Sequence, residues 1–484
     1  MTALRQFLIC ASVALLMAGC ANLVSSPEIT VGPASPGGDI TTASERRVGQ
    51  RSHPQILAKY GGIYKNGTIE NLVARVLGRL VPASDEPARG YRVTILNSPT
   101  VNAFAVTGGY LYVTRGLVAL ANDEAELAAV LAHEIAHVTA RHGIARAKKQ
   151  EAAALATKVA AQVVGNPEIA QVTLASTKIS LAQFSQIQEL EADLIGIRTS
   201  GKAQYDPYAA SRFLTSLSRF SAFREARRDG DRGAEFLSSH PSTPDRIDRA
   251  RRAARQFGSP GFGETGRESY LKALDGMMFG DDPSEGFARG RSFIHVDLGI
   301  SFSVPRGYVL ENTREAVLAR NGAGTAMKFD SVSGGRSDPL EAYFERADIK
   351  GLVPASIRTF EINGEEAATA SAINGDWSFR IGLIRHKRTI YRFVFATRRP
   401  NTAFDREFRA TLDTFRQLSD SDIASYRPLK IEVVKVRPGD NQASLSRRMA
   451  GVELADQLAF FRIMNGLMSG DRLQPGDFVK IVSE

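Results

Sequence analysis

The sequence predicts an α+β protein: a mainly helical first domain with a small sheet, then a small α+β domain, then a closing β-α-α-β module. Three observations predict it. Apolar residues at helical spacing dominate the first half and bracket short alternating runs. From Phe293 to Leu418 the pattern turns strand-like, with two helical stretches. The tail from Lys430 to Val482 opens and closes on strand-like runs around two helical ones. A chain of 484 residues has room for about two to four compact units. Its 43% hydrophobic and 23% charged residues suit a soluble globular protein and argue against a polytopic membrane enzyme.

At the start, Arg5 precedes an apolar run from Phe7 to Met17 that ends in Ala18-Gly19-Cys20, so residues 1–20 read as a secretory signal too short to span a bilayer. The ending resembles the lipobox of bacterial lipoproteins, which implies that Cys20 becomes a lipidated N-terminus. A plain signal peptide, with secretion to the periplasm, is the alternative. Ala21 follows where a retained inner-membrane lipoprotein would carry Asp, so the expected location is periplasmic, on an outer-membrane lipid anchor. Cys10 lies inside the removed segment, which leaves no pair for an intramolecular disulfide. Residues 21–48, with Pro27, Pro33, Pro36 and Gly37-Gly38, read as a tether. The net charge of +9 is spread along the chain without a nucleic-acid motif, so no nucleic-acid partner is expected.

The first domain covers residues 49–256. Leu72, Val73, Val76, Leu77 and Leu80 predict a helix, Tyr91 to Leu96 a strand, and Gly109 to Thr114 a second strand. Asp123 followed by Glu126 is a capping-box signature, and Leu127, Val130, Leu131 and Ile135 continue that helix to about Arg141. Residues 146–182 are alanine-rich and read as helices roofing a cleft, and another helix runs through Glu189, Asp193 and Gly196. The Gly-, Pro- and Asp-rich stretch 257–290 reads as a connector. In 291–420, strands are expected at His295 to Val304, Ala367 to Ala372, Ser378 to Leu383 and Thr389 to Ala396, and helices at Pro339 to Ala347 and Thr402 to Phe415. Residues 429–484 form the last module.

The chemistry concentrates at His133-Glu134-Ile135-Ala136-His137. Spacing of i, i+4 puts both imidazoles on one helical face, where each offers a nitrogen to one zinc ion, and Glu134 lies about 100° around the axis, free to act as general base. Three protein ligands and a water make a catalytic zinc site, with one Zn2+ per chain expected. The third ligand assigned is Glu189, with Asp193 on the same face orienting an imidazole from behind; Glu191, on a different face, is the competing ligand. His142 points off the ligand face and is read as serving the helix C-terminus. His53, His295 and His386 have no motif around them and are read as structural.

These residues closely resemble the HtpX-like and CAAX prenyl protease-like zinc metallopeptidases, in their BepA-like periplasmic branch. The match runs from Asn102-Ala-Phe-Ala and Gly108-Gly-Tyr-Leu-Tyr-Val-Thr-Arg-Gly116 through the H-E-x-x-H helix and His142 to Glu189-x-Glu-Ala-Asp193. It continues to Ser239-His240-Pro241 and Pro244-Asp-Arg246, covering roughly residues 49–255. The resemblance implies a gluzincin-type site with Glu189 as third ligand. It also implies that His240 is a possible fourth ligand that switches the resting enzyme off, with Arg246 near the cleft. The strand carrying Gly109, Tyr110, Leu111 and Tyr112 is expected to hold an extended polypeptide substrate by edge pairing, an ordinary sheet strand being the alternative.

The tail resembles a LysM module, in Val436-Arg-Pro-Gly-Asp440, Ile463-Met-Asn-Gly-Leu467 and Leu473-Gln-Pro-Gly-Asp477-Phe-Val-Lys-Ile481, which implies a peptidoglycan partner. Asn441-Gln442 departs from the usual Thr-Leu. The expected function is zinc-dependent endopeptidase action on unfolded or misassembled cell-envelope proteins. The alternative is a self-inhibited zinc-binding chaperone or assembly factor for outer-membrane components. A cell-wall amidase is favoured by the tail alone.

Overall fold

In the computed structural model, which describes residues 29–31, 39–149, 151, 184–226, 236, 240, 241, 243–332 and 338–484, a helix-rich first half is followed by a sheet-rich C-terminal region. The secretory segment with Cys10 and Cys20, most of the tether, Ser239 and the expected roof helices over 152–182 lie outside the described residues. None of the described helices is long and apolar enough to cross a membrane.

Strand β1 (Ile29–Val31) and helix α1 (Ala43–Lys59) come first, the helix closed at its start by a Thr42/Glu45 capping box. Helix α2 (Gly67–Ala83) buries Leu72, Val73, Val76, Leu77 and Leu80, the apolar face read from their spacing. Next are β2 (Tyr91–Leu96), β3 (Ala103–Val106) and β4 (Tyr110–Thr114), in a sheet of order β1-β2-β4-β3. Strand β4 runs parallel to β2 and antiparallel to β3. The expectation that Gly109 to Tyr112 offers an edge is therefore corrected: β4 is hydrogen-bonded on both sides, and the edges are β3 and β1. A strand of four residues, Ala-Phe-Ala-Val, is too short for alternation to announce it.

After a short helix α3 (Arg115–Leu120) comes α4 (Glu124–Thr139), buried from Glu124 to His137. Asp123 caps it by accepting from Glu126 N at 2.8 Å. The reciprocal half of the expected capping box is not made, because Glu126 Oε2 accepts instead from Asn122 N at 2.9 Å. Helix α5 (Gln186–Lys202) crosses α4 at Gly196, where a Cβ would lie 3.0 Å from His133 N. Helices α6 (Ala209–Ala226) and α7 (Pro244–Ala254) complete this layer. Within the stretch read as a connector, α8 (Arg267–Leu274) forms and buries Tyr270, Leu271 and Leu274 in the core, an apolar trio masked by the Gly and Pro around it.

The sheet-rich region begins with β5 (Phe287–Arg289), β6 (Ser292–His295), β7 (Ile300–Ser303), β8 (Tyr308–Asn312), β9 (Val317–Asn321) and β10 (Ala326–Val332). Helix α9 (Glu341–Arg346) precedes β11 (Leu352–Ile362), β12 (Glu365–Asn374), β13 (Trp377–His386) and β14 (Thr389–Thr397), and α10 (Thr402–Leu412) precedes β15 (Arg416–Gln417) and α11 (Asp420–Ser425). A seven-stranded antiparallel sheet has the order β11-β12-β13-β14-β10-β9-β8, and a four-stranded one β15-β7-β6-β5. The run His295 to Val304 is not one strand but the end of β6, a turn and β7, because the chain turns at Gly299, with φ of 68° and its N–H on Val296 O at 3.0 Å.

The tail has the expected order: β16 (Lys430–Lys435), α12 (Gln442–Ser446), α13 (Gln457–Met464) and β17 (Phe478–Ser483), with the strands paired antiparallel. Ile431, Phe460, Phe461, Val479 and Ile481 share one apolar cluster with residues of α2, α4 and α8. The fully buried Lys480 reaches across, its Nζ donating to Ala119 O at 2.8 Å and Ala121 O at 2.6 Å, with Leu120 O at 3.4 Å. These carbonyls end α3, just before the cap of α4, and an ammonium there meets the three acceptors its donors need.

Candidate metal centre

His133 and His137 stand one turn apart on α4, and Glu189 comes from the first turn of α5. His137 Nε2 lies 3.0 Å from His133 Nε2. The Glu189 carboxylate brings Oε2 to 3.5 Å from His133 Nε2 and Oε1 to 3.4 Å from His137 Nε2. His240 joins them, its Nδ1 3.2 Å from His133 Nε2 and 2.9 Å from Glu189 Oε1. One ligand atom from each of the four lies within 4.8 Å of all the others, and all four residues are buried. Ligands about 2.0–2.1 Å from a tetrahedral ion stand about 3.4 Å apart, so this donor set fits a single ion of zinc's size.

Glu134 does not join the ligands. Its Oε2 accepts from Ala105 N on the edge strand β3 at 3.2 Å, and its buried Oε1 has no hydrogen-bond partner. Burial raises its pKa above the usual glutamate range, against the pull of His240 and His133. The carboxyl group therefore stands between the ligand cluster and the strand edge, with Oε1 in no hydrogen bond and 3.7 Å from His240 Nε2.

A buried network stands behind the ligands. His133 Nδ1 meets Asp193 Oδ1 at 3.0 Å, a contact with the geometry by which a carboxylate can orient an imidazole. Arg246 forks onto Asp193, Nε to Oδ2 and Nη2 to Oδ1, both at 2.8 Å. Its Nη1 donates to Pro241 O at 2.8 Å and lies 2.8 Å from Glu189 Oε2. Arg246 is thus buried behind the ligands, and it fastens the His240-Pro241 segment to α5. Burial pushes the Asp193 pKa up, but hydrogen bonds from Arg246 and His133 outweigh it and hold the carboxylate ionised. Burial likewise opposes the charge on Glu189, and hydrogen bonds from His133, His137 and His240 hold its pKa well below the usual carboxylate range.

The sequence reading of His142 is corrected. Helix α4 ends at Thr139, and Arg141 takes a φ of 58°, which folds His142 back beneath the helix. There its Nδ1 lies 2.9 Å from His137 Nδ1, and its Nε2 is 3.3 Å from Glu191 Oε2. Glu191 thus turns to His142, not to the ligand cluster. The sequence also gave no notice of Phe184, whose ring stacks on His137 at 3.9 Å, or of Phe236, which stacks on His240 at 4.7 Å. Tyr112 of β4 is occupied elsewhere, its hydroxyl 2.8 Å from His53 Nδ1.

Residues 67–254, which carry every group of this cluster, match the model of Peptidase family M48. This stretch is a peptidase family M48 domain. The putative beta-barrel assembly-enhancing protease of Vibrio cholerae is 33% identical over 189 residues, 37% of this chain and 38% of the relative. The beta-barrel assembly-enhancing protease of Escherichia coli is 32% identical over 188 residues, 37% of each chain. The mitochondrial metalloendopeptidase OMA1 of Schizosaccharomyces pombe is 31% identical over 213 residues, 43% of this chain and 60% of the relative. The chain therefore spans between about a third and three fifths of these relatives. The resemblance read from the motifs agrees with this family.

Proposed function

We propose that the chain is a zinc-dependent endopeptidase that hydrolyses peptide bonds in unfolded or misassembled cell-envelope proteins. One observation carries this reading: Glu134, with one buried oxygen in no hydrogen bond and 3.7 Å from His240 Nε2, stands between a four-residue ligand cluster and the Ala105 N–H of an edge strand. His133, His137 and Glu189 would hold the ion, which when bound polarises a water and the scissile carbonyl. Strand β3 lays the substrate backbone in extended form by edge pairing. Glu134 Oε1 accepts a proton from the attacking water and returns it to the leaving amine. Asp193, held by Arg246, keeps His133 in register throughout.

The relatives from Vibrio cholerae and Escherichia coli are named for beta-barrel assembly, which supports a setting among assembling β-barrel proteins. In this reading Cys20 carries a lipid anchor on the periplasmic side of the outer membrane, and the LysM-like tail contacts peptidoglycan. Palmitate that fails to label Cys20, or a tail that sediments no better with peptidoglycan than a control protein, would remove those parts.

A second reading has its own observation. His240 lies among the ligand atoms, which supports a self-closed centre in a chain acting mainly as a chaperone or assembly factor. Cleavage of casein by the chain from residue 21 onward, parent against Glu134→Gln at equal zinc content, separates the two. Cutting by the parent alone supports the endopeptidase. Equal zinc with no cutting by either favours the closed form, which His240→Ala should then open.

A further inference from the structure

We infer that His142 is a positioning residue for the metal centre: it accepts the Nδ1–H of His137, and Glu191 in turn accepts the Nε2–H of His142. The inference rests on the reading that the cluster holds a metal. His137 turns Nε2 toward His133 and Glu189, at 3.0 and 3.4 Å, and Nδ1 the other way, toward His142. A neutral imidazole carries one proton. With the Nε2 lone pair given to a metal, that proton sits on Nδ1, where its acceptor among the described residues is the His142 Nδ1 at 2.9 Å. His142 must then accept at Nδ1 and carry its own proton on Nε2, 3.3 Å from Glu191 Oε2. An ionised carboxylate only accepts. One placement of protons satisfies the whole row, and the reverse placement leaves His137 without a lone pair for the metal.

The fold builds this contact deliberately into a turn. His142 is 4% exposed, and the residue before it, Arg141, sits in the left-handed region. The Arg141 side chain is pinned by Glu45 Oε1 at 2.6 Å and Glu86 Oε1 at 3.2 Å. The two ligand imidazoles are therefore backed differently. His133 rests directly on the buried, Arg246-clamped Asp193, whereas His137 rests on a second imidazole whose carboxylate is 54% exposed.

The test compares zinc dissociation constants, by competition with a chromophoric chelator, for the full chain and its His142→Phe and His142→Asn variants. Loss of an outer partner of this kind typically weakens metal binding about 10–100-fold. Phenylalanine, which keeps the ring but accepts nothing, should show that loss. Asparagine, whose amide oxygen stands near the Nδ1 position, should restore binding to within a few fold. Nitrogen-15 NMR of the zinc-loaded parent should find His137 as the Nδ1–H tautomer and His142 as the Nε2–H tautomer, which decides the matter even where a variant does not fold. Equal affinity in His142→Phe, equal loss in both variants, or a proton on His142 Nδ1 overturns the inference. A parent that takes up no zinc overturns the metal-centre reading itself.

Discussion

Gly196 sets how closely the two ligand-bearing helices approach, and replacing it by alanine tests this. A Cβ there would lie 3.0 Å from His133 N, 3.2 Å from His133 Cα and 3.3 Å from the carbonyl carbon of Ala132. Carbon atoms in comfortable contact stand about 3.5–4.0 Å apart, so α4 and α5 must separate by roughly half an ångström. Alanine gains about 1 kcal/mol of helix propensity, while overpacking costs about 1–3 kcal/mol. The net expectation is a protein between unchanged and about 2 kcal/mol less stable. Metal binding suffers more. Glu189 precedes Gly196 by two helical turns on the same face, and ligand distances tolerate only about 0.2 Å, so zinc affinity should fall at least about tenfold. Gly78 is the control: exposed in α2, with nothing within 4 Å of its would-be Cβ. Gly78→Ala should gain about 0.5–1 kcal/mol and leave zinc affinity alone. Chelator competition and urea unfolding measure both. If Gly196→Ala behaves like Gly78→Ala, the close crossing is not what places Glu189, and the argument fails.

Lys480→Met should cost about 2–4 kcal/mol in urea unfolding, since it strips the donor from the carbonyls that end α3; a loss under about 1 kcal/mol would show that the contact contributes little. Arg246→Lys keeps the charge but loses the planar fork on Asp193, so a destabilisation of about 2–5 kcal/mol and weaker zinc binding are expected; parental stability and affinity in this variant would refute the clamp. Burial lowers the pKa of His295 below the usual histidine value of about 6.5, against the pull of Asp297. Between the lowered folded value and about 6.5 the unfolded chain binds more protons, so this stability is complete above about pH 6.5 and lost as pH falls through that window. Melting temperature should accordingly drop less steeply below about pH 6.5 in His295→Gln than in the parent, and identical slopes would refute the assignment.

Much of the centre was legible because helical spacing fixes it before any tertiary contact forms. His133 and His137 share a face at i, i+4, and so do Glu189 and Asp193, whatever surrounds them. His142 was not legible in this way. At five residues past His137 an unbroken helix would carry it off the ligand face, and only the left-handed turn at Arg141 brings it back. Strand order was equally hidden. Nothing in Tyr110 to Thr114 says that Ala103 to Val106 will pair along one side and Tyr91 to Leu96 along the other. The burial of α8 escaped notice because glycine and proline dominate the composition around Tyr270 and Leu274. The tail's strand and helix order could be read from its periodicity, but its seat rests on a shared apolar cluster and on Lys480, which reads as an exposed strand charge until its partners are seen.

The shortness of β3 has a kinetic consequence. Four residues at about 3.3 Å each give a footprint of roughly 13 Å, and only alternate residues turn their backbone groups outward. Two or three net hydrogen bonds of about 1 kcal/mol apiece correspond to a grip weaker than roughly millimolar. A polypeptide docked there would leave almost as soon as it arrived, unless it stayed extended and close by. On the proposed reading such a strand would discriminate by dwell time: a folded protein that frays for an instant would escape, whereas a chain stalled in an open state would return again and again until it is cut.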